Sequence, residues 1–170
     1  GYIYEAVPEN RVEGAQMTIY YKASKDADDA TAEKWEAEPY YQSNPIMTDA
    51  NGRYAWDVPE GWWQVVAEKD GYEVTKSDWL EVPPPQLDVN LELVSTMEPK
   101  VAGVDLASEK MLVRFDNYVL ADSFTKENVA LKDAAGAAVE IASVEAVDVK
   151  QKDEKAIAKE FMVTFAAPVA

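Results

Sequence analysis

The side chains that could carry chemistry in this chain are mostly carboxylates and aromatic rings, because the sequence contains no histidine and no cysteine. Without histidine, the commonest general base and the commonest metal ligand are missing, and every Ser-His or Cys-His arrangement is excluded. Without cysteine there are no disulfides, no thiolate nucleophiles and no thiolate metal sites. We therefore expect no catalytic residue, no cofactor and no required metal.

Two acidic segments raise the question of calcium binding. An EF-hand loop that began at Asp49 would need glycine at its sixth position, where Tyr54 stands, although Glu60 does fall at the twelfth. The other segment, "KDADDATAE", clusters Asp26, Asp28 and Asp29 without the glycine or the spacing of a known calcium motif. We interpret the first segment as a hairpin turn and the second as an exposed, solvated loop.

The aromatic side chains are concentrated before residue 95, where all five tryptophans lie. In the strand "WWQVVAEK" neighbouring side chains point to opposite faces. Trp63 then shares a face with Val65 and is expected in the core, whereas Trp62 shares a face with Gln64 and is expected outside. Trp62 could pack against the long insertion 23–44 or form part of a platform for a sugar or peptide. The candidate platform residues are Trp62, Trp35, Trp79, Tyr40 and Tyr41.

Alternating apolar residues predict the strands that would position these aromatics. In "GAQMTIYYK" Ala15, Met17, Ile19 and Tyr21 face one way, and Lys22 faces the other. Asn51-Gly52 predicts a type I′ hairpin that joins a strand near Ile46 to one through Tyr54, Trp56 and Val58. The last strand of this region, "LDVNLEL", places Leu87, Val89, Leu91 and Leu93 on one face.

Charge and composition divide the chain after Val94. Residues 1–94 contain 19 acidic and 7 basic residues, a net charge of −12, and residues 95–170 contain 13 and 9, a net charge of −4; together they give the total of −16. Such acidity repels nucleic acid and anionic membrane surfaces. There is no apolar run of about 18 residues and no leader-like segment, so we expect no membrane insertion. The predicted domains are 1–94 and 95–170.

The first domain resembles the carboxypeptidase regulatory-like, or prealbumin-like, β-sandwich family. The matching segments are "VEGAQMTIYY" for the entry strand, "TDANGRYAWDVPEGWWQVVAEKDGY" for the central signature and "LDVNLEL" for the closing strand. The insertion 23–44 departs from the family pattern. The resemblance implies an accessory fold that is attached to larger proteins and usually lacks catalysis of its own. Related surface domains can carry a lysine–asparagine cross-link, but Lys22 and Asn90 both fall on the outward faces, which argues against one here.

The second domain is similar to bacterial immunoglobulin-like surface modules. The resemblance rests on "VRF", then "TKENVALKD" after a loop, and a glycine turn. "EFMVTFAAPVA" places Phe161, Val163 and Phe165 on one face of a late strand. Modules of this kind usually have one or two further strands, so we expect this domain to be incomplete at its C-terminal end.

Together these observations predict an all-β chain of two tandem β-sandwiches. The expected function is that of a non-catalytic spacer or accessory module in a larger bacterial protein that is secreted or attached to the cell surface. Its partners would be neighbouring domains of the same parent chain, with a glycan or an extracellular protein as a further partner. The alternative is a glycan- or peptide-binding module that uses the exposed aromatics of the first domain.

Overall fold

A computed structural model describes residues 1–169 and confirms the all-β class. Strands contain 44% of the chain and helices 5%, with no helix of seven or more residues in the described part. The chain divides into two compact units, Gly1–Met97 and the residues from Glu98 onward, whereas the sequence placed the boundary after Val94.

The first unit contains a three-stranded and a six-stranded sheet. Its strands are β1 (Ile3–Glu5), β2 (Val7–Arg11), β3 (Gln16–Lys22), β4 (Glu33–Lys34), β5 (Ile46–Met47), β6 (Gly61–Glu68), β7 (Thr75–Lys76), β8 (Leu80–Val82) and β9 (Leu91–Glu92). One sheet has the order β2-β1-β9, in which β1 is antiparallel to β2 and parallel to β9. The other has the order β4-β3-β6-β7, with β5 also on β3 and β8 also on β6. Two short 3₁₀ helices cover Asp29–Thr31 and Glu38–Tyr40.

The core of this unit is built on the antiparallel pair β3 and β6. Directly opposite residues, which share a face, are Met17 and Ala67, Ile19 and Val65, and Tyr21 and Trp63. This confirms the predicted inward faces of both strands, and Trp63 is only 3% exposed. Ile3 of β1 packs into the same core. Leu93, the residue after β9, joins it there.

The insertion 23–44 also enters this core, which corrects the expectation that Trp35 is an exposed platform residue. Trp35 is buried, and its ring meets that of Trp63 edge-on at a centroid distance of 5.4 Å. The Asn44 amide fixes the insertion to β3, because its Nδ2 donates to the carbonyls of Ile19 and Trp35 and its Oδ1 accepts from the Ile19 amide. Burial of the large apolar Trp35 ring removes it from water and stabilises this position of the insertion.

The predicted type I′ turn at Asn51-Gly52 is wrong in its type. Gly52 has a positive φ of 70°, but Asn51 does not. The Asp49 carboxylate accepts hydrogen bonds from the amides of Asn51 and Arg53, and Gly52 donates to the Asp49 carbonyl. This aspartate-centred turn needs only one left-handed residue, because the side chain replaces a backbone acceptor. The turn therefore does not pair Ile46 with Tyr54, and β5 pairs with β3 instead.

Two predicted strands are extended but not paired over their length. Residues 54–58 carry no strand ladder, although Tyr54, Trp56 and Val58 face the core as expected. The closing strand "LDVNLEL" shrinks to β9, and Leu87 is 78% exposed, which contradicts its predicted inward face. Alternation determines which face a side chain takes, but a ladder also needs a neighbour at hydrogen-bonding distance.

The second unit is built on one five-stranded sheet and a two-stranded ladder. Its strands are β10 (Val101–Leu106), β11 (Lys110–Leu120), β12 (Leu131–Lys132), β13 (Ala138–Val139), β14 (Ile141–Val147), β15 (Lys150–Lys152) and β16 (Lys155–Phe165). The large sheet has the order β10-β11-β16-β14, with β15 also on β16, and β12 pairs with β13. A 3₁₀ helix at Lys126–Asn128 begins with a capping box formed by Thr125 and Asn128.

Three phenylalanines mark the interior of the second unit. The rings of Phe115, Phe124 and Phe161 meet edge-on at centroid distances of 5.0 to 5.8 Å. Phe161, Val163 and Phe165 are all buried, as the late-strand pattern predicts. At the edge strand β10, Leu106 lies opposite buried Met111 yet is 73% exposed, so the core-side face is uncovered there. The predicted immunoglobulin-like character and missing strand of this unit stay predictions.

The two adjacent tryptophans of β6 give the first test of this fold. We expect Trp63→Ala to lower the free energy of unfolding of the first unit by about 3 to 5 kcal/mol, because it empties a buried site between Tyr21 and Trp35. Trp62→Ala should cost much less, since this ring is only partly buried. Urea denaturation of the two variants, followed by circular dichroism, measures both costs. The reverse order of costs would show that the register of β6 is shifted by one residue.

Candidate functional site

The five aromatic residues of the predicted platform do not form one surface. Trp35 lies in the core, and Tyr40 packs on it at a centroid distance of 5.2 Å. Tyr41, fully exposed, follows in a left-handed conformation at the end of the second 3₁₀ helix. Trp62 and Trp79 lie elsewhere, on the outer face of the β3–β6 pair, where both are partly buried.

Lys22 organises that outer face, where the sequence predicts it, and it is nevertheless buried there. The residue is only 4% exposed. Its Nζ donates to an Asp29 carboxylate oxygen at 2.8 Å and to the Ala27 carbonyl at 3.1 Å, and it lies 4.5 Å from the centre of the Trp79 ring. A buried ammonium needs such partners, since desolvation disfavours an unpaired charge. The insertion folds over β3 at this point and supplies them.

Asp29 and Asp28 therefore have structural roles in the segment considered for calcium. The hydrogen bond from Lys22 is the main cause that lowers the pKa of Asp29. The nearby Trp79 indole NH lowers the pKa of Asp29 further. This NH is buried and forms no hydrogen bond in the described structure. Asp28 caps the first 3₁₀ helix by accepting from the Ala30 amide. Within residues 1–169 no three acidic side chains converge closely enough to hold a metal ion.

The first unit contains a largely apolar cavity of about 370 Å³, which we call the strand slot. One wall is the extended segment 54–58 and the other is the segment 85–89. Ile19, Trp63 and Val65 line its floor, together with Leu80 and Val82. Native cores rarely leave apolar space of this size open. The cavity is therefore a feature that needs a physical explanation.

Gly1 and Tyr2 occupy the mouth of the strand slot, between its two walls. Gly1 exchanges two backbone hydrogen bonds of 3.1 Å with Tyr54 on one side. On the other side the Tyr2 amide donates to Asn90 Oδ1, and its carbonyl accepts from the Leu91 amide. A Cβ added at Gly1 would lie 1.9 Å from the Val89 carbonyl oxygen. The Gly1 backbone is therefore in close contact with Val89 and paired with Tyr54.

The backbone groups of the wall 54–58 are only partly hydrogen-bonded in the described structure. Successive residues of a strand direct their backbone groups to opposite sides. The Asp57 amide and carbonyl both bind the Gln42 side chain, each at 2.8 Å, on the side away from Gly1. The described structure gives the backbone amides and carbonyls of Trp56 and Val58 no hydrogen bond.

Tyr54 connects the two walls under the mouth of the slot. Its hydroxyl donates to the Val89 carbonyl at 2.5 Å, and its ring meets that of Trp56 at a centroid distance of 5.7 Å. Burial raises the pKa of Tyr54 above its usual value, so the hydroxyl stays protonated and remains a donor.

A second, more open hollow of about 300 Å³ lies beside Trp62, with Glu60, Glu81 and Tyr21 among its lining residues. Of the five predicted platform residues, only Trp62 lines this hollow. Sequence reasoning found Trp62 but missed the strand slot. The available signal was the unbroken alternation of Tyr54, Trp56 and Val58, which ends at Pro59 without a second hairpin partner.

Comparison with protein-family models, with curated proteins and with solved structures found no match to this chain. Among the described residues, no helix has the length and apolar character needed to cross a membrane.

The Lys22–Asp29 pair predicts a specific dependence of stability on pH. Because the folded-state pKa of Asp29 is lowered, its contribution is complete above the unfolded value of about 3.9 and is lost as the pH falls through the folded value. We expect the urea midpoint of Asp29→Asn to be lower than that of the parent protein at pH 6. The two midpoints should converge as the pH falls below about 4. Asp26→Asn, which changes an aspartate of the same loop without a described hydrogen bond, is the control. Equal pH profiles for the parent and Asp29→Asn would contradict this role.

Proposed function

We propose that this chain is a non-catalytic spacer or accessory module of a larger bacterial protein that is secreted or attached to the cell surface. One observation carries the proposal: within the described structure, every side chain whose pKa is clearly shifted has a structural cause for the shift. Catalytic groups are usually the ones whose pKa values are perturbed by convergent neighbours in a cleft.

The individual shifts support this proposal. The hydrogen bond from Lys22 lowers the pKa of Asp29, and that from the Arg53 amide lowers the pKa of Asp49 in its turn. The Thr125 hydroxyl lowers the pKa of Glu127 at the start of a 3₁₀ helix. Burial raises the pKa of Tyr54, which ties together two chain segments. Each group is explained by the turn, cap or strand to which it belongs.

The division into two units also suits a spacer. Each unit has its own buried apolar cluster and can contribute a fixed length to a chain of domains. A net charge of −16 keeps such an array soluble and apart from nucleic acid and anionic lipid. The partners in this proposal are neighbouring domains of the same parent chain. The resemblance of the two segments to prealbumin-like and bacterial immunoglobulin-like modules supports the surface location.

A spacer requires units that fold without a ligand and without each other. We expect a fragment of residues 1–97 to unfold cooperatively when expressed alone, with a midpoint close to that of its unit in the full chain. The fragment 98–170 should be less stable, because it is smaller and has an uncovered apolar edge at β10. Thermal melting of both fragments and of the full chain, with and without a chelator, is the measurement. A midpoint that falls by more than about 5 °C with chelator would oppose the proposal.

The alternative function is glycan binding at the Trp62 hollow. The partly exposed Trp62 ring between Glu60 and Glu81 favours it, because an aromatic face beside carboxylates can stack on a sugar ring and accept its hydroxyl hydrogens. The discriminating experiment is a glycan array with the parent chain and with folded Trp62→Ala. A glycan whose binding disappears in Trp62→Ala would replace the spacer proposal, whereas Tyr41→Ala is a matched control at a fully exposed aromatic.

A further inference from the structure

We propose that the Trp62 hollow binds the guanidinium group of an arginine side chain that a partner polypeptide presents. This goes beyond the spacer function, because it gives the first unit a contact with a partner and names the chemistry of that contact. It also differs from the glycan alternative, because it requires a cation. Three features of the hollow carry it: the charge of the lining side chains, the aromatic rings beside them and the cross-strand register.

The charged side chains that line the hollow are both carboxylates. The described lining residues include Glu60 and Glu81, and none of them is a lysine or an arginine. Both glutamates are exposed, and within residues 1–169 neither side chain has a described hydrogen bond or ion pair. Lys22, directly opposite Trp62, gives its ammonium to Asp29 instead. The net charge of −12 over residues 1–94 attracts a cationic partner over longer range.

The aromatic rings beside these carboxylates suit a flat cation. Trp62 is only partly buried and lines the hollow, so part of its indole remains accessible there. The Tyr21 ring packs against the Gly61 backbone, where an added Cβ would lie 2.3 Å from Tyr21 Cε2. Since Gly61 has no side chain, both rings border the hollow directly. A guanidinium is planar and stacks on aromatic faces, and its five N–H donors match carboxylate oxygens.

The register of β6 and β8 places a carboxylate next to the indole. Trp62 and Glu81 lie directly opposite each other in this antiparallel pair. Such residues share a face, and their Cβ atoms are about 5 Å apart. A cation that rests on the indole can therefore reach the Glu81 carboxylate at the same time. Glu60, one residue before β6, borders the same hollow. A neutral sugar would leave both carboxylates without a counter-charge.

The experiment uses the isotope-labelled full chain in solution NMR and the capped peptide acetyl-Gly-Gly-Arg-Gly-Gly-amide. We expect a saturable shift of the Trp62 indole N–H resonance, which Trp62→Phe identifies by its loss. The backbone amides of Gly61 and Val82 should shift with the same dissociation constant. This constant should be about 1 to 10 mM at low salt, because one stacked cation with exposed ion pairs makes a weak site. The indole of Trp35, which lies in the core, should not shift.

Matched peptides separate recognition of a guanidinium from general attraction. The same peptide with citrulline in place of arginine keeps the planar shape but has no charge, and it should not bind measurably. The same peptide with lysine keeps the charge, but its ammonium neither stacks as a plane nor donates in a fork. We expect the lysine peptide to bind at least about threefold more weakly than the arginine peptide.

Matched variants of the chain test the residues of the hollow. Glu60→Gln and Glu81→Gln should each weaken binding about twofold to fivefold, because each removes one exposed carboxylate from the site. Glu73→Gln removes an exposed carboxylate outside the hollow and should change binding by less than about 1.5-fold. Trp62→Ala, followed through the same backbone amides, should weaken binding at least about threefold.

Several outcomes would overturn the proposal. No shift of Trp62 at about 50 mM arginine peptide would show that the hollow does not take a guanidinium. Equal binding of the citrulline or the lysine peptide would remove, respectively, charge or planarity as the basis of recognition. Equal effects of Glu60→Gln, Glu81→Gln and Glu73→Gln would show long-range attraction without a site. A neutral oligosaccharide, cellotetraose, that shifts Trp62 and displaces the peptide would assign the hollow to the glycan alternative.

Discussion

The antiparallel pairing of β3 with β6 is the interaction on which the rest of the first unit depends. Its inner face places Tyr21 and Ile19 opposite Trp63 and Val65, and this apolar surface is the floor against which the other chain segments pack. The outer face of the same ladder ends in the opposite pair Lys22 and Trp62. Since a strand gives its two faces to alternate residues, one register determines both the core and the charged outer site.

The insertion 23–44 completes both faces of that ladder. On the inner face it contributes Trp35, which is held by the Asn44 amide. On the outer face it contributes the Asp29 carboxylate and the Ala27 carbonyl, which neutralise and solvate the Lys22 ammonium. The insertion 23–44, whose polar sequence is typical of a loop, is therefore part of the folded structure. The reason is physical: a buried ring and a buried ammonium each require contacts that β3 and β6 do not supply.

The strand slot shows the difference between the side-chain and backbone requirements of a sheet. Residues 54–58 satisfy the side-chain requirement, because Tyr54, Trp56 and Val58 pack inward on the core. Their backbone requirement is met only in part: Tyr54 pairs with Gly1 and Asp57 with the Gln42 side chain, whereas Trp56 and Val58 have no described backbone hydrogen bond.

The sequence by itself determined the all-β class, the inward faces of β3, β6 and β16, and the burial of Trp63, because alternation with period two is a local property that each strand carries in its own residues. Only the tertiary structure decided which extended segments have neighbours: Leu87 lies outside, and residues 54–58 lack a ladder. The five predicted platform residues do not form one surface for the same reason, since Trp35 and Trp79 lie in segments whose packing depends on distant strands. Lys22 is buried because its partner Asp29 arrives from a loop, and no local pattern encodes the position of that loop.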